Sequence, residues 1–90
     1  MRYYRQNPEV VYRQEGEDAF LFHPGEDRLY LLNQVACYIW EWCKEPLSEE
    51  IIIGKLEEVF PEVGKESLGK DVKSFIGSLL KRNLLIVNNA

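Results

Sequence analysis

The run Leu29-Tyr30-Leu31-Leu32-Asn33-Gln34-Val35-Ala36-Cys37-Tyr38-Ile39-Trp40-Glu41-Trp42 changes period halfway along, and that change restricts what this chain can fold into. Arg28 to Leu32 is short, apolar and aromatic, the make-up of a β-strand. From Leu32 the apolar residues fall at 32, 35, 36, 39, 40 and 43, a helical spacing with one buried face. Asn33 stands at the switch, where its side chain can accept from the first free amides of a helix. A strand therefore runs into a helix almost without a loop, and the joint fixes sheet and helices against each other.

Two further strands precede the joint. Val10 to Gln14 and Ala19 to His23 favour β-structure, and Glu15-Gly16-Glu17-Asp18 between them forms a hairpin loop in which Gly16 can take a positive φ. Pro24-Gly25-Glu26-Asp27 suits a type II turn into the third strand. The meander is antiparallel, with the third strand at an edge unless a later strand covers it. Phe20 and Phe22 share one face and Ala19 and Leu21 the other; Leu29 and Leu31 alternate with Tyr30 and Leu32. Both faces are apolar. One must meet helices, and the other is left to the N-terminal arm, a self-contact or a partner. Residues 1–9, polar with one proline, read as a mobile arm.

Helix one spans about Gln34 to Lys44 and stops before Pro46. Ser48 caps helix two, whose stripe is Ile51/Ile52, Leu56, Val59 and Phe60 up to Pro61. Residues 62–67 form a polar loop or ragged start. Helix three carries Leu68, Val72, Phe75, Ile76, Leu79 and Leu80, the strongest amphipathic pattern in the chain. Asn83 suits a left-handed terminator, and Leu84 to Val87 is a terminal strand or packed tail. The expected fold is α+β and winged-helix-like: a three-stranded antiparallel sheet followed by three helices, one domain over residues 1–90.

Trp40 lies on the helix-one stripe and is expected in the core; Trp42 points about 200° away, toward the sheet edge or an interface. Cys43 shares the stripe, whereas Cys37 does not. The two cysteines are too far apart around the helix to bridge and read as free thiols. His23 is the one histidine, with no zinc-type ligand spacing around it. Glu15, Glu17, Asp18, Glu26 and Asp27 sit in the turns, where they keep sheet edges soluble. Neither a phosphate-cradling glycine loop nor a nucleophile elbow occurs. These features predict no catalysis, no metal and no cofactor. A net charge of −4 argues against a general nucleic-acid binder, although Lys65, Lys70, Lys73, Lys81 and Arg82 give helix three a basic face broken by Glu66 and Asp71. No apolar run approaches the ~20 residues of a bilayer span, and no signal-peptide core opens the chain; a cytoplasmic location follows as an expectation.

Leu32-Asn33, Ile39-Trp40, Ser48-Glu49-Glu50, Asp71-Val72 with Phe75, and Leu79-Leu80-Lys81-Arg82-Asn83-Leu84 occur in an order and spacing that resembles the PqqD-like family, over roughly Pro8 to Val87. Asn83 stands where many of its relatives have glycine, and the strand region differs from members dedicated to pyrroloquinoline quinone synthesis. The resemblance therefore implies the kind of module rather than the pathway. It implies a recognition element for the precursor peptide of a ribosomally made, post-translationally modified natural product.

In that family a leader peptide adds as a strand to the third-strand edge and packs on helix three. Carried over by position, the edge is Arg28, Leu29, Tyr30, Leu31 and Leu32, and the helix offers Lys73, Ile76, Gly77, Leu80 and Lys81. The implied partners are the leader peptide and a modifying enzyme, often a radical S-adenosylmethionine maturase, with no nucleic acid and no membrane. The alternative is a small winged-helix regulator that binds DNA.

Overall fold

The computed structural model describes residues 2–89. It contains β1 (Arg2–Gln6), β2 (Val11–Glu15), β3 (Asp18–Phe22), β4 (Leu29–Leu32), α1 (Gln34–Trp42), α2 (Glu49–Val59), α3 (Lys65–Lys81) and β5 (Leu85–Asn89). The fold is α+β. Strands β2, β3 and β4 form the expected antiparallel sheet in that order, so β4 is an edge. Register is set across three strands: Val11, Phe22 and Leu29 align in one row, and Arg13, Phe20 and Leu31 in the next. These rows face outward. Ala19, Leu21 and Leu32 alternate with them and are buried against the helices.

The joint forms as its sequence dictates. Asn33 holds extended backbone, and its side-chain oxygen accepts from the Ala36 amide at 2.8 Å. One residue thus separates the last β4 side chain in the core, Leu32, from the first turn of α1. Ile39, Trp40 and Cys43 follow on the buried stripe. Ser48 caps α2 through its hydroxyl, which accepts from Ile51 N at 3.3 Å, and Ile52 and Leu56 carry that helix into the core. Helix α3 contributes Leu68, Val72, Ile76 and Leu79. Its end is a Schellman motif: Asn83 takes φ 59°, its amide donates to Leu80 O at 3.1 Å, and Leu84 N–H donates to Leu79 O at 2.8 Å. The Leu79 and Leu84 side chains complete that cap, both buried.

Two expectations change, and two open positions are resolved by contacts and exposure. Residues 2–6 are not a free arm: they form β1, which pairs antiparallel with β5 in a second, two-stranded sheet. Polarity hid the strand because its partner lies at the far end of the chain. Tyr4 exchanges 2.7 and 3.0 Å backbone hydrogen bonds with Leu47, Gln6 N–H donates to Cys43 O, and the Gln6 side chain donates to Trp40 O at 2.7 Å. The segment after Pro24 is not a type II turn, since Gly25 has no positive φ. His23 organises it instead, its carbonyl accepting from Glu26 N–H and its Nδ1 from Gly25 N–H at 3.0 Å. Trp42, which its angle directed toward the sheet edge or an interface, is partly exposed and stacks on Tyr38, which meets Phe60 edge-on, while the Lys55 ammonium lies 5.5 Å from the Trp42 ring. Leu31, which alternation alone could not exclude from the core, is 62% exposed.

Because Trp40 is buried on the α1 stripe, Trp40→Ala is expected to cost about 3–5 kcal/mol and to abolish the cooperative melt. An unchanged melting temperature would refute the packing. Tyr4→Ala should cost about 2–3 kcal/mol in a urea titration, where a mobile arm would cost nothing. Burial pushes the Cys43 thiol from its ordinary 9.0 up to about 12. The unfolded thiol ionises first, so stability present below pH ~9 is lost as pH rises toward 12. Under reducing conditions Cys43→Ala should show a shallower decline than wild type over that interval.

Candidate functional site

The edge of β4 faces α3. In an antiparallel ladder every second residue of an edge strand leaves its amide and carbonyl unpaired. Four residues, Leu29 to Leu32, supply this edge. Across from it, Asp71, Ser74, Phe75 and Ser78 of α3 and Arg82 at its C-cap lie beside β4, a set spaced three or four residues apart and therefore on one flank. The Tyr30 and Phe75 rings meet edge-on with centroids 6.3 Å apart, and the Arg82 guanidinium carbon stands 5.0 Å from the Tyr30 centroid. Between strand and helix lies a depression of ≈ 320 Å³ lined by Tyr30, Asn33, Val35, Ala36, Asp71, Ser74, Phe75 and Ser78. Tyr30, Val35, Ala36 and Phe75 give it an apolar lining, and Asn33, Asp71, Ser74 and Ser78 a polar one.

The sequence candidates divide accordingly. Leu29, Tyr30, Leu31 and Leu32 lie together in β4, with Arg28 just before it. Leu29 is 60% exposed on the outer face, Tyr30 is half-buried on the α3 side, and the Leu32 side chain is buried. Lys81 reaches a second depression with Arg28, Arg82, Glu26 and Asp27 at the Arg28 end of the edge. Ile76 is buried in the core. Lys73 lies on the opposite flank of α3, lining a hollow with Arg2, Tyr4, Glu49 and Ile53. Gly77 and Leu80 fall on that same flank by helical spacing. A Cβ at Gly77 would meet nothing within 4 Å, so no other part of the chain packs close against it.

Asp71, Ser74, Phe75, Ser78 and Arg82 escaped the sequence reading as a set. The available signal was the pair Ser74 and Ser78 flanking Phe75, small polar residues beside an aromatic one on a helix whose core face was already occupied.

His23 Nδ1 is taken by the Gly25 amide, and its Nε2 lies 3.7 Å from Glu9. Cys37 borders a broad hollow with Glu17, Asp18 and Glu41, carboxylates rather than the cations that activate a thiol, and partial burial raises its pKa. Among the described residues no group of three His, Cys, Asp or Glu is placed to hold a metal ion, and no helix is long and apolar enough to cross a membrane.

Residues 18–85 match the sequence model of the family described as Coenzyme PQQ synthesis protein D (PqqD). The matched stretch runs from β3 to the first residue of β5, and so contains β4, α3 and the depression between them. Proteins of that family are non-catalytic accessory proteins that interact with a precursor peptide and with a radical S-adenosylmethionine enzyme. No curated protein and no solved structure gives a match to the chain. With the family's sequence model covering well over half of its length, the chain belongs to the PqqD family.

Proposed function

We propose that this protein is a non-catalytic adaptor in the cytoplasm that holds the leader of a ribosomally made precursor peptide and presents it to a modifying enzyme such as a radical S-adenosylmethionine maturase. The observation that carries the proposal is the open edge of β4 beside the Ser74–Phe75–Ser78 flank of α3. An extended peptide laid on that edge gains main-chain hydrogen bonds from β4, and alternate side chains drop toward Tyr30 and Phe75. Affinity comes from the backbone, selectivity from the depression. The edge is short and blunt enough not to recruit other strands: four residues long, with the Arg82 cation beside it.

The role of the outer sheet face follows from the same addition. Leu29 and Leu31 stand exposed at the edge of an apolar surface continued by Phe22 and Val11. A guest strand would extend this surface by one row and shield part of the two leucines. DNA binding is not favoured. Asp71 stands among the lysines of α3, and the chain carries a net charge of −4.

Titration calorimetry against the precursor peptide encoded beside this protein's gene tests the adaptor role, with amide-shift mapping to locate the contact. Shifts concentrated in Leu29–Leu32 and in Ser74, Phe75 and Ser78 are expected. Ser74→Arg, which fills the depression from an exposed position, should weaken binding about tenfold or more while leaving the melting temperature within a degree or two. Lys73→Glu, on the opposite flank, should change affinity less than twofold. Equal loss from both variants, or shifts that miss β4, would refute the groove.

A further inference from the structure

The groove between β4 and α3 is electrically polar along its length. Asp71 lines it at the end near Asn33 and Val35. Arg82 stands over Tyr30 and borders the depression at the Arg28 end, where Arg28, Lys81 and Arg82 outnumber Glu26 and Asp27. Lys44 pairs with Glu41, and among the described residues neither Asp71 nor Arg82 is neutralised by a partner. Helix α3 thus runs antiparallel to β4, with a free anion at one end of the groove and a free cation at the other.

Spacing converts that polarity into a sequence rule. Eleven residues of helix separate Asp71 from Arg82, about 16 Å along the axis. Five residues of strand, i to i+4, cover about 14 Å, and long charged side chains make up the rest. Only alternate residues of a guest strand face the helix, so the groove-facing positions are i, i+2 and i+4. Opposite Leu32, Tyr30 and Arg28 these fall beside Asp71, the Tyr30–Phe75 ring pair, and the Arg82–Lys81 cations in turn. Positions i+1 and i+3 face outward beside the exposed Leu31 and Leu29. The strands of this sheet pair antiparallel, and antiparallel pairing is the more stable per residue, which sets the guest's direction.

Resting on strand addition at β4, we propose that Asp71 and Arg82 are the specificity-determining residues of this groove. They select an extended peptide segment that carries a cation at i, an apolar residue at i+2 and a carboxylate at i+4, in that N-to-C order. Apolar residues at i+1 and i+3 join the outer sheet face. The reverse charge order would set a carboxylate against Asp71 and a cation against Arg82, replacing two attractions by two repulsions without changing composition.

Selection of a phage-displayed random dodecapeptide library on the wild-type protein and on the double variant Asp71→Arg/Arg82→Glu tests the rule. Wild type should enrich Lys or Arg four residues before Asp or Glu; the double variant should enrich the reverse order. A selected peptide resynthesised with its two charges exchanged should lose about tenfold in affinity for wild type and gain it for the variant. Should the double variant melt at much lower temperature, Asp71→Asn replaces it, and the preference for a cation at i should vanish while that for an acid at i+4 persists. Peptides that shift the Leu29–Leu32 amides yet show no ordered charge pair, or the same order on both proteins, would overturn the charge rule and leave strand addition standing. Selected peptides that leave those amides unmoved, or no enrichment on either protein, would remove strand addition and the rule with it.

Discussion

The single-residue passage from β4 into α1 is the constraint on which the arrangement depends. Leu32 is buried beneath the sheet, Asn33 caps, and Ala36 is already in the core. With no loop to absorb rotation, the direction of α1 dictates where the free edge of β4 points. Helices α2 and α3 then pack around Ile39, Trp40 and Cys43, which places Phe75 against Tyr30. The groove wall and the groove edge are held by one continuous core. An N-cap is worth on the order of 1 kcal/mol in stability. Here its larger role is geometric, since it keeps the edge strand and the first helix turn in a fixed relation.

The second sheet solves a different problem. Helix α3 ends in the Schellman motif at Asn83, and the chain reverses into β5, which would itself be a two-sided edge. Strand β1 covers one side of it and ties back through Tyr4 to Leu47 and through Gln6 to the carbonyls of Trp40 and Cys43. The chain's two ends therefore brace the C-terminus of α1 and the α1–α2 connection. This bracing lies away from the β4 edge. The β1–β5 pair thus braces the helices, while the edge of β4 in the other sheet stays unpaired.

Local patterning made most of the core readable in advance. Alternation in Ala19–Leu32 separated the two sheet faces without choosing the buried one, the stripe of α1 identified Trp40 and Cys43, and Asn33, Ser48 and Asn83 marked helix boundaries through chemistry that acts within a few residues. What escaped depended on distant partners. Arg2–Gln6 is polar enough to look like a tail, and only its pairing with β5 makes it a strand. The choice between the two flanks of α3 is of the same kind. Lys73 and Asp71 are two residues and about 200° apart, and periodicity defines the buried face without saying which neighbouring flank turns to the sheet. Sequence likeness named helix three as a wall; the ring contact between Tyr30 and Phe75 shows which flank lies beside the sheet.

That flank changes the electrostatic character of the site. Lys73 and Lys81 together would make a uniformly basic wall, suited to any acidic peptide and sensitive to salt in proportion to its charge. Asp71 and Arg82 instead make a wall of opposite ends and little net charge. Such a wall adds little long-range attraction, so encounter is not steered strongly, and discrimination operates after contact through alignment of the two ends. A dipolar groove also resists capture by unrelated polyanions, which would meet Asp71 unpaired. For an adaptor with only four strand residues to offer, main-chain pairing alone would accept almost any extended chain. Opposed charges at the two ends of the groove restrict which register and which direction such a chain can take.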